Sequence, residues 1–413
     1  MGRPRRVLVL GASGMIGHAI LEAGAGDSSL CLVPASHRRL VDYVWVDFGA
    51  LTDAAAWSTV LSEVAVDAVV NCVGIWMGSA GDFERLQYTV PVALFDACSR
   101  RGLRVVHVSA LGFSVDAPLP YAATKARADR YLLEHCPSGI VVYSSLVFGS
   151  EGRSTRFFLN LAALPVSVDL GLPANLQPVH VRDVARAVIE ALKAQHPVRA
   201  VECAGSHPIS VAEYLSALRK GMGFRAAPLR LRLPPRCARL LFQAGEAIGA
   251  RFVNRQTWTL LQAGTRGQDL HPQALPYERM ASERDRRMVR ETQLYWFARL
   301  GVAFLWLWTA AATFFIWPKA DTLAWLASVS PALGTMLVLS ASCLLDASLG
   351  LFSLFRPSKR LWQAEFLVTA FYTVVLAVCL PWTWGHPLGP LTKNLPVLAT
   401  MLYLAMQETR RAK

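Results

Sequence analysis

The sequence predicts two architectures in one chain: an α/β domain on a doubly wound parallel sheet, then an all-α bundle of four transmembrane helices. Three observations carry this. The apolar run Val7–Leu10 closes in glycines at 11, 14 and 17 and continues into the helix-like HAILEAG, which is strand, tight turn and helix in succession. Tyr121 and Lys125 stand four residues apart in the helical stretch YAATKARADRYLLEH, just beyond the β-branched run Val105–Val108. From about residue 294 onward the chain is far more apolar, with four runs near the length that crosses a bilayer.

The glycine turn allows a pyrophosphate to approach backbone N–H groups at a helix start. Gly11, Ser13, Gly14, Met15, Ile16 and Gly17 are therefore the candidate cofactor loop. The second strand, about Leu30–Val33, runs into PASHRRL, where no carboxylate is available for an adenosine ribose. Ser36, Arg38 and Arg39 suit a 2′-phosphate, which favours NADP(H) over NAD(H), unless the arginines only solvate a loop. Tyr43–Val46 reads as a third strand closed by Asp47, and Val66–Val70 as a fourth running into Asn71-Cys-Val-Gly74. A helix over Tyr88–Arg100 leads to the strand Val105–Val108, and Ile140–Phe148 reads as the sixth strand.

Ser109 ends the fifth strand, at the sheet edge where ligands of open α/β sheets lie. Its hydroxyl suits hydrogen bonding to a substrate oxygen on which charge develops. Tyr121 and Lys125 share one helix face. A nearby ammonium stabilises a phenolate and lowers the phenol pKa, which equips Tyr121 as general acid or base. This Ser, Tyr-x-x-x-Lys arrangement with its Gly-x-x-Gly-x-x-Gly turn resembles the short-chain dehydrogenase/reductase superfamily, in its atypical and extended, epimerase/dehydratase-like branches, over about the first 270 residues. The resemblance implies a Rossmann fold, with Asp47 approaching the adenine, and Asn71 and Gly74 in an element like the family's Asn-Ala-Gly beside the cofactor. Extended members often carry Arg-Pro in the sixth strand, where this chain has Tyr143 and Ser144.

Composition narrows the classes. The net charge of +13 could suit nucleic acid, but the basic residues lie mainly in an interdomain segment and beside apolar spans, without basic-aromatic alternation, so no nucleic-acid partner is expected. The eight cysteines form no Cys-x-x-Cys and no metal spacing, and read as reduced apolar residues; no metal is expected. His180, in PVHVRDVA, suits either a packed or capping role or a catalytic one. The apolar run VLVL is too short for a signal peptide. Asp183 suits a helix cap, and Ser210-Val-Ala-Glu213 a capping box.

In FRAAPLRLRLPPRCARL, Phe224 to Leu240, arginines alternate with apolar residues, as in a half-buried strand with a basic face or a contact with anionic lipid heads. The expected organisation is a dinucleotide domain over 1–270, a basic linker over 271–292 and a membrane domain over 293–413. Its spans are Leu300–Trp317, Ala332–Phe355, Leu361–Leu380 and Leu391–Met406, with tryptophans and tyrosines near their ends. Arg284, Arg286, Arg287 and Arg290 precede the first span, Arg356, Lys359 and Arg360 separate the second from the third, and Arg410, Arg411 and Lys413 close the chain. By the positive-inside rule both termini are cytoplasmic, in a multi-pass protein of the cytoplasmic membrane. Asp346, Glu365 and Lys393 fall within or near these spans, Asp346 well inside the second, as a functional group or as a structural polar contact. The four spans with HPLGPLTKNLPVLA resemble the DoxX-like membrane family.

The expected function is oxidoreduction of a carbonyl or alcohol with NADP(H), with Tyr121 exchanging the proton, Lys125 tuning it and holding the nicotinamide ribose, and Ser109 orienting the substrate oxygen. A membrane tether favours a lipophilic substrate. A sugar-nucleotide epimerase or dehydratase, and a non-catalytic cofactor-binding module of a membrane protein complex, are the alternatives.

Overall fold

The computed structural model describes residues 3–173, 175–196, 198–227, 229–247, 249–250, 252–267, 273–385 and 391–411. The chain forms two compact units, Met1–Arg287 and Met288–Lys413.

The first unit is built on seven strands: β1 (Arg5–Leu10), β2 (Leu30–Ser36), β3 (Val44–Trp45), β4 (Ala68–Asn71), β5 (Arg104–Ala110), β6 (Gly139–Ser144) and β7 (Ala200–Cys203). Every pairing is parallel and the order is β7-β6-β5-β4-β1-β2-β3. β1 is covered on both faces because successive residues point to opposite sides. Val7 and Val9 pack with Ile20, Val184 and Val188 on one face. Leu8 and Leu10 pack with Trp57, Leu94 and Phe95 on the other. The strand order reverses at β1, which lies between β2 and β4, and in open α/β sheets ligands lie at such a switch point, outside the carboxyl ends of the strands. Leu10, Asn71 and His107 align across β1, β4 and β5, so the glycine loop, Asn71 and Ser109 all emerge at this edge.

Four readings of the sequence differ from the structure. The sixth strand ends at Ser144, and Val147–Phe148 pairs with Val179–His180 in a separate two-stranded sheet. The chain breaks away because the Ser145 hydroxyl bonds Thr265 through its carbonyl (2.9 Å) and hydroxyl (3.0 Å). The helix ending at Arg100 is entered through Ala80–Glu84 and a π turn, Arg85–Thr89. Among the described residues of the Arg-rich stretch only Leu229–Arg232 is a strand, exposed throughout, and Pro235 opens a helix to Ala247. Finally, residues expected to be a linker are packed: Tyr277 and Met280 of a short helix are buried, and Tyr277 bonds the His207 carbonyl through its hydroxyl.

Three helices among the described residues are long and apolar enough to cross a membrane: Glu283–Ile316, which begins in the last residues of the first unit, Met336–Phe355 and Lys359–Cys379. The expected count of four is corrected to three among the described residues. Asn394–Arg411 is helical, but its last turns carry Gln407, Glu408, Arg410 and Arg411. A helix that the apolar runs did not signal, Lys319–Val329, lies between the first two. Residues 386–390 of HPLGPLTKNLPVLA lie outside the described residues. Phe297, Phe315, Leu337 and Val378 face outward, while Asp346 and Glu365 are buried; Lys393 is exposed. That inversion suits an apolar surrounding. The Ser353 hydroxyl donates to Glu365 Oε1 at 2.5 Å, and Arg299 Nε donates to the Ser353 carbonyl at 2.7 Å.

Gly205 tests the packed segment. A Cβ there stands 2.2 Å from the Pro178 carbonyl oxygen and 2.5 Å from the Tyr277 hydroxyl. Gly205→Ala should destabilise the first unit by about 1–3 kcal/mol, the usual cost of overpacking. Limited proteolysis should then cut faster just before Tyr277; an unchanged pattern and unchanged Tm would contradict the packing.

Candidate active site

The glycine loop is tight where a dinucleotide needs backbone. Gly11 has φ +76°, a left-handed conformation that glycine adopts without strain. A Cβ on Gly17 meets the Gly11 carbonyl oxygen at 2.4 Å, so the helix Met15–Gly24 can lie this close to the turn only with glycine there. No side chain caps this helix start and no acid sits in its first turn, which leaves its N-terminal field available to an anion. These features fit a dinucleotide phosphate. Met15 packs over Gly149 and Gly152, and Ile16 is half-buried.

The other cofactor candidates divide. The Ser13 and Ser36 hydroxyls bond each other at 3.0 Å, and Ser36 Oγ also accepts from the Arg38 backbone N–H at 3.0 Å, so Ser36 shapes the turn. Arg38 and Arg39 are exposed, Arg39 lying over the Trp45 ring at 4.9 Å. Asp47 is exposed and caps nothing with its side chain. Asn71 is fully buried; its Oδ1 accepts from Val73 N at 3.1 Å and its Nδ2 has no partner. Gly74 is exposed, with open space where a Cβ would stand.

Ser109 and Lys125 converge on the end of β5, Ser109 from the strand and Lys125 from the helix Pro120–His135. Their link is Asp129, which the sequence reading did not single out. The Ser109 hydroxyl donates to Asp129 Oδ2 at 2.6 Å, and Lys125 Nζ donates to the Val108 carbonyl at 3.3 Å. His107 Nε2 lies 3.4 Å from Asp129 Oδ1, an ion-pair distance without hydrogen-bond alignment. Burial, then the Lys125 ammonium, hold the His107 pKa well below its usual value, so the imidazole is neutral. Burial raises the Asp129 carboxyl to about 6, against the lowering effects of Lys125 and Ser109. Burial likewise lowers Lys125, opposed by Asp129 and Cys72.

Tyr121 corrects one expectation. Its phenol is raised to about 12 by burial, and Lys125 does not lower it. The reason is placement: Lys125 is turned to Val108, and the Tyr121 ring sits edge-on among Trp76 at 5.2 Å, Phe113 at 5.3 Å and Phe83 at 5.8 Å. Outward from Trp76 the rings continue to Phe252 at 6.4 Å and from there to Phe157 at 5.6 Å. His180 caps the helix Val181–Lys193, its Nδ1 accepting from Arg182 N at 3.2 Å, which is the capping role of the two considered.

The signal for Asp129 was present, since Tyr121, Lys125 and Asp129 recur at intervals of four on one helix. Its consequence is measurable. Asp129 keeps its proton up to about pH 6 in the folded chain, against about 4 for an ordinary aspartate. Between those values the folded state holds a proton that the unfolded chain releases, so this group's contribution to stability falls as pH rises. Thermal unfolding from pH 4 to pH 6 should show wild type losing about 2–3 kcal/mol more than Asp129→Asn. Parallel pH profiles would show that Asp129 is not the buried acid described.

Residues 7–203 match the NAD dependent epimerase/dehydratase family, and residues 303–402 the DoxX-like family. Over 202 residues the chain is 29% identical to the mitochondrial NADH dehydrogenase [ubiquinone] 1 alpha subcomplex subunit 9 of Mus musculus, covering 45% of this chain and 52% of that protein. Over 140 residues it is 33% identical to the mitochondrial protein FMP52 of Eremothecium gossypii, covering 30% and 58%. The chain thus spans about half the length of the curated relatives it matches. The UDP-N-acetylglucosamine 4-epimerase from Bacillus cereus superposes with a TM-score of 0.47 at 16% identity, over 56% of this chain and 88% of that one. This chain therefore carries an NAD dependent epimerase/dehydratase-like domain over residues 7–203, followed by a DoxX-like domain over residues 303–402.

Proposed function

We propose that the chain is a membrane-anchored, NADPH-dependent oxidoreductase that interconverts a lipophilic carbonyl and its alcohol. The observation that supports it best is the convergence of Ser109 and Lys125 on the end of β5, with Tyr121 one helical turn before Lys125, at the switch-point edge that also bears the glycine loop. Gly11, Ser13, Gly14, Met15, Ile16 and Gly17 hold the cofactor phosphates, Arg38 and Arg39 its 2′-phosphate, and Asp47, Asn71, Gly74 and Lys125 its two ends. The bound nicotinamide supplies or accepts a hydride.

Tyr121, raised to about 12, keeps its proton at neutral pH and serves as the acid towards an oxygen gaining negative charge. Ser109 holds that oxygen, its own proton committed to Asp129 until substrate arrives. The arginines before the first span support a cytoplasmic first unit, with the second unit in the cytoplasmic membrane. A sugar-nucleotide epimerase or dehydratase is the rival within enzymes, and it leaves no net nicotinamide oxidation. A second reading, a non-catalytic cofactor-binding subunit of a membrane complex, draws on two facts. Ser109 and Lys125 are both engaged by the protein itself, and a matched relative is named as a subunit of NADH dehydrogenase.

Full-length protein in detergent, loaded with NADPH and given a lipid extract of its host, should lose the reduced-nicotinamide absorbance. Tyr121→Phe should slow that loss by about 100-fold or more; an equal rate would defeat the proposed chemistry, and tight NADPH binding without loss would favour the subunit. Arg38→Ala and Arg39→Ala should each weaken NADPH about tenfold while sparing NADH. Equal weakening of both cofactors would remove the case for the 2′-phosphate.

A further inference from the structure

The geometry points to a flat, apolar ring compound bearing a carbonyl or hydroxyl as the substrate class, gripped by Trp76, Phe252 and Phe157 beside Tyr121. This rests on the reading of Tyr121 as the proton donor and narrows its substrate. The rings form a file from the candidate acid outward. Trp76 meets Tyr121 edge-on at 5.2 Å, and then Trp76–Phe252 and Phe252–Phe157 are stacked pairs, each with 28° between planes. They come from widely separated stretches: the segment after β4, the helix Arg153–Ala163, and the approach to the helix Arg255–Ala263.

A core would bury such rings. Phe158, next in sequence to Phe157, does pack into the core against the buried Tyr214. Trp76, Phe157 and Phe252 instead remain half-buried, and the nearby Met77 is exposed. Nearly parallel half-covered rings leave faces on which another flat ring stacks well and a saturated ring does not. The Gln256 amide donates to the Trp76 carbonyl at 3.1 Å and fixes that residue's place. The Trp76 indole Nε1 is buried without a partner, a single donor suited to one acceptor oxygen. A sugar nucleotide asks for much more: several polar groups for its hydroxyls and cations for its diphosphate. Among the described residues of this file, Trp76, Phe252 and Phe157 offer ring faces and one unpartnered N–H.

The test is calorimetric titration of full-length protein in detergent with three probes: 2-naphthol, its saturated counterpart 2-decalol, and UDP-glucose. The expected result is 2-naphthol binding about three- to tenfold tighter than 2-decalol, the scale of a ring-on-ring contact, with UDP-glucose weaker than both. Trp76→Ala and Phe252→Ala should each remove most of that preference while leaving NADPH affinity unchanged. Trp76→Phe, which keeps a ring and loses the N–H, should retain the preference for the flat probe and bind both alcohols more weakly. Equal affinity for the two alcohols, tighter UDP-glucose, or a preference surviving both alanine variants would overturn the inference. Failure of the enzyme reading would show separately, as no nicotinamide oxidation or a Tyr121→Phe variant of full rate, while the binding preference is still read by titration.

Discussion

The buried hydrogen bond between Ser109 and Asp129 is the contact on which the site depends. A carboxyl that is 3% exposed has lost its water, and it is tolerable only where donors or a cation replace that water. Ser109 supplies the donor at 2.6 Å and Lys125 the cation. Both replacements have structural consequences. Ser109 sits on β5 and Asp129 on the helix Pro120–His135, so satisfying Asp129 fixes the roll of that helix against the sheet. Since Tyr121, Lys125 and Asp129 share one face, fixing the roll at Asp129 also sets where Tyr121 stands two turns earlier.

The same contact decides the protonation pattern. Lys125 is drawn towards Asp129 and Val108, away from the phenol, and the phenol is left to its aromatic neighbours. A phenol among rings has nothing to stabilise its anion, so it is held as the acid. His107 adds no charge, because burial and the ammonium keep it neutral. The phenol of Tyr121 thus stays protonated among its rings, while the Ser109 hydroxyl already has its acceptor in Asp129.

Much of this was legible in the sequence, and what was not has a physical reason. The glycine spacing fixed the turn because a Cβ at position 17 has no room, a strictly local constraint that a sequence displays. Continuous apolar strands reported a sheet covered on both faces. The spacing of Asp129 from Tyr121 and Lys125 was visible, but its burial was not, because a charged residue on a helix ordinarily faces water and only tertiary packing buries this one. The aromatic file was hidden for a related reason: residues 76, 157 and 252 are brought together by the fold and share no periodicity. The basic stretch misled because alternation of arginine and leucine imitates a half-buried strand, whereas here four residues suffice for a strand and Pro235 then starts a helix.

The second unit obeys the same rule about buried charge under a different solvent. Its outer surface is Phe, Leu and Trp, so burial there serves packing and polar satisfaction more than escape from water. Gly350 lets its helix approach Leu307 so closely that a Cβ would stand 2.7 Å from that side chain. Glu365 is satisfied on one oxygen by Ser353, whose own carbonyl is taken by Arg299. Arg299 also donates to the Leu354 carbonyl, so its charge answers the open C-terminal end of the helix Met336–Phe355. In the first unit a lysine answers the buried acid through its nearby charge, its hydrogen bond going to the Val108 carbonyl. In the second the cation answers a helix terminus, and Ser353 links it to the acid, so that polar residues from three long apolar helices meet.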